Sequence, residues 1–322
     1  MILVFLARSC MVEVADIEQI AESVKRFTLV PVDAGTVLPF HPGAHVETCI
    51  GTRNVVLRRH YSLCSDADET RFYQIAVSKS KTSRGGSRYW HEQVIVGQRL
   101  EVSVPVNHLS LSRTARHHLF VAGGIGITPF ISMMLALRRQ GQSFELHMAA
   151  KSALACPFYD WLSGTFPGQV HFYFSTEGCR LTPNLLQDQL LGTHLYVCGP
   201  PGMMKEFRDC ARAIGYPKQS VHMEAFTASQ GGDNHPFRAF LEKQGRWVDV
   251  PGHQTLLAAL READVNVPSS CEVGGCGTCM VGVIDGDVDH RDFYLTGEEQ
   301  AQGREILCCV SRAKKDRLVL DL

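Results

Sequence analysis

The sequence carries no surplus of positive charge. Its 32 Lys+Arg stand against 33 Asp+Glu, a net of −1. A nucleic-acid binder shows a basic excess or stripe, so that class is disfavoured. Long apolar runs are also missing. No stretch reaches the roughly 20 apolar residues that a membrane span needs. The start, MILVFLARSC, is apolar, but no basic segment precedes it and no small-residue cleavage site follows. It therefore does not read as a secretory signal. It reads as an edge strand, or as an over-long start with Met11 the first residue. No internal repeat and no low-complexity segment is evident. The 14 histidines form no metal-spaced set, no paired C-x-H and no 2-His-1-carboxylate candidate. Neither a Ser/His/Asp triad nor a paired-carboxylate site is required by any motif.

Cysteine, by contrast, is plentiful: 12 in 322 residues, spread along the whole chain. A disulfide framework belongs to small secreted domains whose cores are too small, and this chain is long enough for two or three ordinary cores. A reducing cytoplasm is expected, where clustered cysteines mean metal or redox chemistry.

The pattern divides the chain. Runs such as VEVADI, RFTLVPV, HVETCI, RHYSLCS, FYQIAVS and LEVSVP are short and β-rich, separated by turn residues, which predicts an antiparallel β-barrel over 1–108. From 109 to 226, strands alternate with helices (HHLFVAGG, TPFISMMLALRRQ, FELHMAA, FYDWLSGTF, QVHFYFS, then HLYVCGPPGMMKEFRDCARAIG). That alternation predicts an α/β domain with a parallel sheet. TASQGGDNHP marks a linker over 227–237, and 238–322 is a small third domain. From Arg238 onward there are 10 basic and 14 acidic residues, so this last domain is acidic.

Its centre is CEVGGCGTCM. The spacing is Cys271-x4-Cys276-x2-Cys279, and 29 residues then separate Cys279 from Cys309. Zinc sites come as two C-x2-C pairs or as a pair with histidines, whereas C-x4-C-x2-C…C is the plant-type [2Fe–2S] spacing. Two bridged irons need four thiolates from a tight loop. Gly274, Gly275 and Gly277 would let the backbone close in and adopt positive φ, with freed N–H groups aimed at the sulfurs. Cys309 is preferred over the adjacent Cys308 on spacing, which leaves Cys308 as a small core residue. A zinc knot or buried reduced thiols is the structural alternative.

The tail SCEVGGCGTCMVGVIDGDVDHRDFYL…CCVSRAKKDRLVLDL resembles the ferredoxin domain of the phthalate dioxygenase reductase family, which includes reductases of vanillate-demethylase type. The resemblance runs from about residue 12 to the end. It implies a multidomain fold in the order flavin barrel, α/β nucleotide domain and β-grasp plant-type ferredoxin. RRHYSLCS resembles the R-x-Y-S flavin motif. It implies Arg59 at the flavin phosphate, His60 and Tyr61 along the ring and Ser62 near N5, with Ala76, Val77 and Lys79 completing the site. Arg84, Gly85, Gly86 and Ser87 precede a predicted helix, where free N–H groups suit a phosphate; a plain glycine turn with a serine cap is the bland alternative. VAGGIGITPF implies a nucleotide site at Gly123, Gly124, Gly126, Thr128 and Pro129, and YVCGPPG adds Cys198, Gly199 and Pro200. Ser62, Thr128 and Cys198 would touch the reacting atoms. VHMEAF implies Glu224 near the flavin and Phe226 covering it. His290, in DVDHRD, reads as a residue on a solvated turn.

By this resemblance the chain is an NADH-dependent oxidoreductase that carries FMN and a [2Fe–2S] cluster. It would pass electrons to a terminal Rieske oxygenase, which holds the oxygen-activating iron. It is expected to be a cytoplasmic monomer. NADH is expected over NADPH, although Lys151 and Ser152 follow a strand where a 2′-phosphate could sit. The alternative is a stand-alone NAD(P)H flavin or acceptor reductase, and a carrier with a vestigial flavin module is the third reading. The tethered ferredoxin domain favours a protein acceptor.

Overall fold

A computed structural model describes residues 9–33, 35–52, 55–80, 85–226 and 234–322. The chain forms two compact units that divide between His222 and Met223.

The first unit opens with β1 (Ser9–Ala21), β2 (Val24–Pro31), β3 (His45–Thr52), β4 (Val55–Ser62) and β5 (Tyr73–Ser78). Helix α1 (Gly86–Glu92) and β6 (Arg99–Ser103) follow. These strands make one antiparallel sheet in the order β4-β3-β6-β1-β2-β5. An antiparallel bridge between Leu63 and Ile75 joins the two ends and closes the barrel. Two register shifts between β1 and β2 let the 13-residue β1 bend around the barrel. The core is filled by Phe27, Tyr73 and Trp90, all fully buried. Of the start MILVFLARSC, residues 1–8 lie outside the described residues; Ser9 and Cys10 begin β1, which lies between β6 and β2, and pair with Ser103 and Val102.

The parallel sheet contains β7 (His117–Gly123), β8 (Phe144–Ala150), β9 (Val170–Phe174), β10 (Thr193–Cys198) and β11 (Val221–Glu224). Helices α2 (Thr128–Arg139), α3 (Tyr159–Thr165) and α4 (Pro201–Ala213) connect them. The order is β11-β10-β7-β8-β9. All six residues of β10 are buried, as a strand covered on both faces requires. The barrel and this sheet share one unit because side chains such as Val24, Cys64 and Ala76 pack into the same cluster as Phe120, Phe130 and Met148.

The second unit holds β12 (Phe237–Leu241), β13 (Arg246–Val250), α5 (Leu256–Glu262), β14 (Met280–Asp285), β15 (Val288–Asp289), α6 (Gly297–Gln302), β16 (Glu305–Leu307), β17 (Arg312–Ala313) and β18 (Arg317–Leu320). Its main sheet runs β13-β12-β18-β14-β16, with β12 and β18 parallel and their other partners antiparallel. Leu256, Leu257 and Leu260 of α5 are buried in the same core as the sheet's apolar residues, which is the β-grasp arrangement. The Thr255 hydroxyl caps α5 by accepting from the Ala258 N–H, 3.1 Å. Among the described residues, no helix is long and apolar enough to cross a membrane.

Candidate functional site

The cluster loop runs between α5 and β14. Its four thiols fall into two pairs. Cys271 is hydrogen-bonded to Cys276, and Cys279 to Cys309. The bonds from Cys271 and Cys309 push the Cys276 and Cys279 thiols below the usual cysteine value, and the donors are raised. Two pairs of thiolates are what two irons require. Backbone N–H groups of Val273 and Gly275 face the Cys271 sulfur, and that of Gly274 faces Cys309. Thr278 Oγ1 lies 3.2 Å from the Cys276 sulfur. Cys308 is fully buried in the core, and burial raises its thiol.

The glycines of this loop serve neighbours as well as the sulfurs. Gly274 and Gly277 adopt φ of +80° and +75°, whereas Gly275 does not have positive φ. A Cβ on Gly277 would lie 2.5 Å from the Tyr294 ring, and one on Gly274 would lie 2.7 Å from Val310 Cγ2. Gly274 is buried. Glu272 is exposed, but its carboxylate accepts from Arg261, 2.7 Å. His290 is not on a solvated turn. Its side chain is only 7% exposed and packs 3.5 Å from the buried Asp292 carboxylate, itself held by the Leu295 N–H and the Ser311 hydroxyl.

In the barrel, β4 carries Arg59, His60, Tyr61 and Ser62. The Arg59 stem lies against Gly86: a Cβ there would come within 2.8 Å of Arg59 Cγ and Nε. Glycine at the start of α1 is thus what lets the guanidinium arm and the helix end share one place. Gly85 precedes it at φ +92°. No side chain caps this helix; Ser87 Oγ instead accepts from the Ser80 N–H, 3.3 Å. The Tyr61 ring meets Trp90 edge-on, centroids 5.7 Å apart, and burial pushes its phenol up against the opposing pull of Arg59. Ser62 Oγ is buried and has no hydrogen-bond partner. Such an atom is costly unless something completes it.

The other candidates here are more scattered. His60 sits 3.7 Å from Glu47. Ala76 and Val77 are buried in β5, and Val77 holds His91 through its carbonyl, 2.8 Å. Lys79 pairs with Glu92 and lines a surface groove of about 710 Å³ with Lys25, Arg88 and His91. That groove is lined by none of Arg59, Tyr61 or Ser62. Arg84 lies outside the described residues.

In the parallel sheet, the turns after β7 and β10 meet backbone to backbone. A Cβ on Gly126 would lie 2.2 Å from the Cys198 carbonyl oxygen, and one on Gly199 would lie 2.9 Å from Gly123 Cα. Gly123 faces Pro200, at 2.4 Å for the same construction. Gly124 needs its φ of +54°. These glycines therefore join the two turns, a role that a ligand-cradle reading of either motif alone misses. The Thr128 hydroxyl donates to the Ile125 carbonyl, 3.0 Å, and Pro129 follows in the first turn of α2. Cys198 is fully buried at the end of β10. After β8, the Lys151 carbonyl accepts from both the N–H and the hydroxyl of Thr176, and Ser152 Oγ accepts from the Ala155 N–H. Glu224 and Phe226 begin the second unit. Glu224 Oε2 is buried and unpartnered, and burial holds this carboxyl up to about 8. Phe226 is 40% exposed.

Comparison with known proteins agrees with this architecture. The family described as 2Fe-2S iron-sulfur cluster binding domain matches residues 239–314. The chain is 39% identical over 314 residues to a carnitine monooxygenase reductase subunit of Escherichia coli, covering 97% of this chain and 98% of that one. It is 38% identical to the beta subunit of a heme-dependent oxidative N-demethylase of Ectopseudomonas mendocina, covering 97% and 98%. The solved phthalate dioxygenase reductase, described as a modular structure for electron transfer from pyridine nucleotides to [2Fe–2S], superposes with a TM-score of 0.74 at 34% identity over 98% of both chains. A flavin barrel, a pyridine-nucleotide sheet and a β-grasp [2Fe–2S] domain in one chain, with these relatives, place the protein in the phthalate dioxygenase reductase family of iron–sulfur flavoprotein oxidoreductases, the reductase components of oxygenase and demethylase systems.

Proposed function

We propose that this chain takes electrons from NADH through FMN to a [2Fe–2S] cluster held by Cys271, Cys276, Cys279 and Cys309, and delivers them one at a time to a terminal Rieske oxygenase. The observation that carries the reading is the pairing of the four thiols, two and two, in the second unit; within the first unit, the flavin motif holds an orphaned hydroxyl. Flavin, when bound, supplies the conversion between a two-electron donor and a one-electron carrier. The protein's residues supply position and charge. Ser62 Oγ offers the hydrogen bond it otherwise lacks. The Arg59 guanidinium, with Gly85, Gly86 and Ser87 at the start of α1, holds a phosphate. Gly123, Gly124, Gly126, Thr128, Cys198, Gly199 and Pro200 shape the nucleotide end. Glu224, protonated through the neutral range, presents a neutral donor rather than a charge. We place the working protein as a monomer in the cytoplasm.

The substrate of the terminal oxygenase leaves no trace in this chain. A heme-bearing acceptor is the second reading, favoured by the N-demethylase relative. Purified protein, NADH and each candidate acceptor discriminate the two. NADH oxidation that is fast with ferricyanide but coupled only to a Rieske protein supports the first reading, and coupling to a heme protein the second. Acid-released flavin should run as FMN on chromatography; FAD would refute the single-phosphate site. The kcat/KM for NADH should exceed that for NADPH, and the reverse order would assign Lys151 and Ser152 to a 2′-phosphate.

A further inference from the structure

Strand pairing brings together residues that sequence spacing keeps apart. His147 of β8 and His171 of β9 are direct neighbours in register, with rings stacked at 4.8 Å. Glu145 is two residues before His147 on the same face of the sheet. One ligand-type atom from each of Glu145, His147 and His171 lies within 4.8 Å of the others. This is a 2-His-1-carboxylate set, where the sequence alone offered none.

The two histidine nitrogens of His147 are treated differently. Nδ1 lies 2.8 Å from the Tyr173 hydroxyl. Nε2 is buried and stands 3.4 Å from Glu145 Oε1, a long contact that, after that of His117, holds the Glu145 carboxyl below the usual carboxylate range. His147 is only 7% exposed. If Nδ1 carries the proton, a bare lone pair faces a carboxylate oxygen, and two acceptors face each other. A cation between them resolves that. Anchoring one imidazole nitrogen on an oxygen while the other faces the site is how metal-binding histidines are oriented. His117 repeats the pattern: Nδ1 is 2.8 Å from Ser143 Oγ, and Nε2 is 3.8 Å from Glu145 Oε1. Gln189 Nε2 also donates to Glu145 Oε1, 2.9 Å. Glu145 is half-buried and His171 exposed, so an ion can enter from solvent.

We propose that Glu145, His147 and His171 bind a divalent transition metal, zinc being the representative ion, on the face of the parallel sheet at its β8–β9 edge. Imidazole and carboxylate are ordinary zinc ligands, and three of them leave a fourth position for water or for His117. None of its residues belongs to the cluster thiols or to the nucleotide turns. Bound metal would tie the edge strand β9 to β8 and raise the melting temperature with the logarithm of its free concentration once that exceeds the Kd.

The test uses the complete holoprotein, dialysed against Zn2+ and then against metal-free buffer. Metal analysis should find one zinc per chain beyond the cluster irons, and zinc-edge X-ray absorption should show nitrogen and oxygen neighbours with imidazole. His171→Gln, on an exposed edge position, should lose the zinc while the cluster and flavin spectra stay intact. Tyr173→Phe should weaken binding by about 10- to 100-fold. The proposal is overturned by three results: no zinc above the irons in the unaltered protein, sulfur in the zinc shell, or zinc retained by both His171→Gln and His147→Gln. None of these bears on electron transfer, so the two readings fail separately.

Discussion

Cys309→Ser should abolish the cluster's visible absorption while NADH-to-ferricyanide activity at the flavin survives. Cys308→Ser should leave the absorption bands in place. The two residues are adjacent, yet their surroundings differ. Cys309 is hydrogen-bonded to Cys279, and the Gly274 N–H faces its sulfur. Cys308 is turned into the apolar core. Serine at 308 buries a hydroxyl in that core, so it should cost about 1–3 kcal/mol of stability without removing a ligand. Iron content and absorption spectra of the two variants decide the matter. Loss of the cluster in Cys308→Ser but not in Cys309→Ser would reverse the assignment.

Gly126→Ala should be strongly damaging to the first unit. The added carbon would meet the Cys198 carbonyl at 2.2 Å and the Gly199 nitrogen at 2.9 Å. Both are backbone atoms at the end of a fully buried strand, so neither can swing aside. Overpacking of this kind costs about 1–3 kcal/mol or more, which for a unit of this size is a fall of roughly 2–12 °C in melting temperature. The kcat/KM for NADH should fall with it, because the turns after β7 and β10 separate. Gly202→Ala is the contrasting case. Gly202 is in α4, with nothing within 4 Å of a Cβ, and alanine there should stabilise by about 0.5–1 kcal/mol. Melting curves and steady-state kinetics on the pair separate crowding from a general intolerance of the region.

Local chemistry made the four clustered thiols readable as candidate ligands, because a fixed spacing of thiols has few other uses. The strands and helices of the parallel sheet were equally readable, since each buried run is punctuated by glycine or proline. Long-range packing was not. No local pattern says that Tyr294 will lie on Gly277, or that Val310 and Asp292 will crowd Gly274. His290 lies among acids in sequence, which suggested water, but its partner Asp292 is buried and takes the side chain inward. The Glu145, His147 and His171 grouping depends on which strands neighbour which, a property of topology alone. Glu272 is exposed between two of the cluster-loop cysteines, but its ion pair with Arg261 makes it a weaker charge toward a partner than its exposure suggests.

The interlocked turns also bear on redesign. Anyone seeking to switch this enzyme between pyridine nucleotides would first mutate the glycine motifs, since they look like the binding signature. Gly123, Gly126 and Gly199 have no room for variation, because each already touches protein. The adjustable positions are at the other strand ends, where Lys151 is exposed and, among the described residues, is held through its carbonyl by Thr176. Libraries built on 151, 152 and 176 should yield folded variants with altered preference, whereas libraries on the glycines should yield mostly unfolded chains.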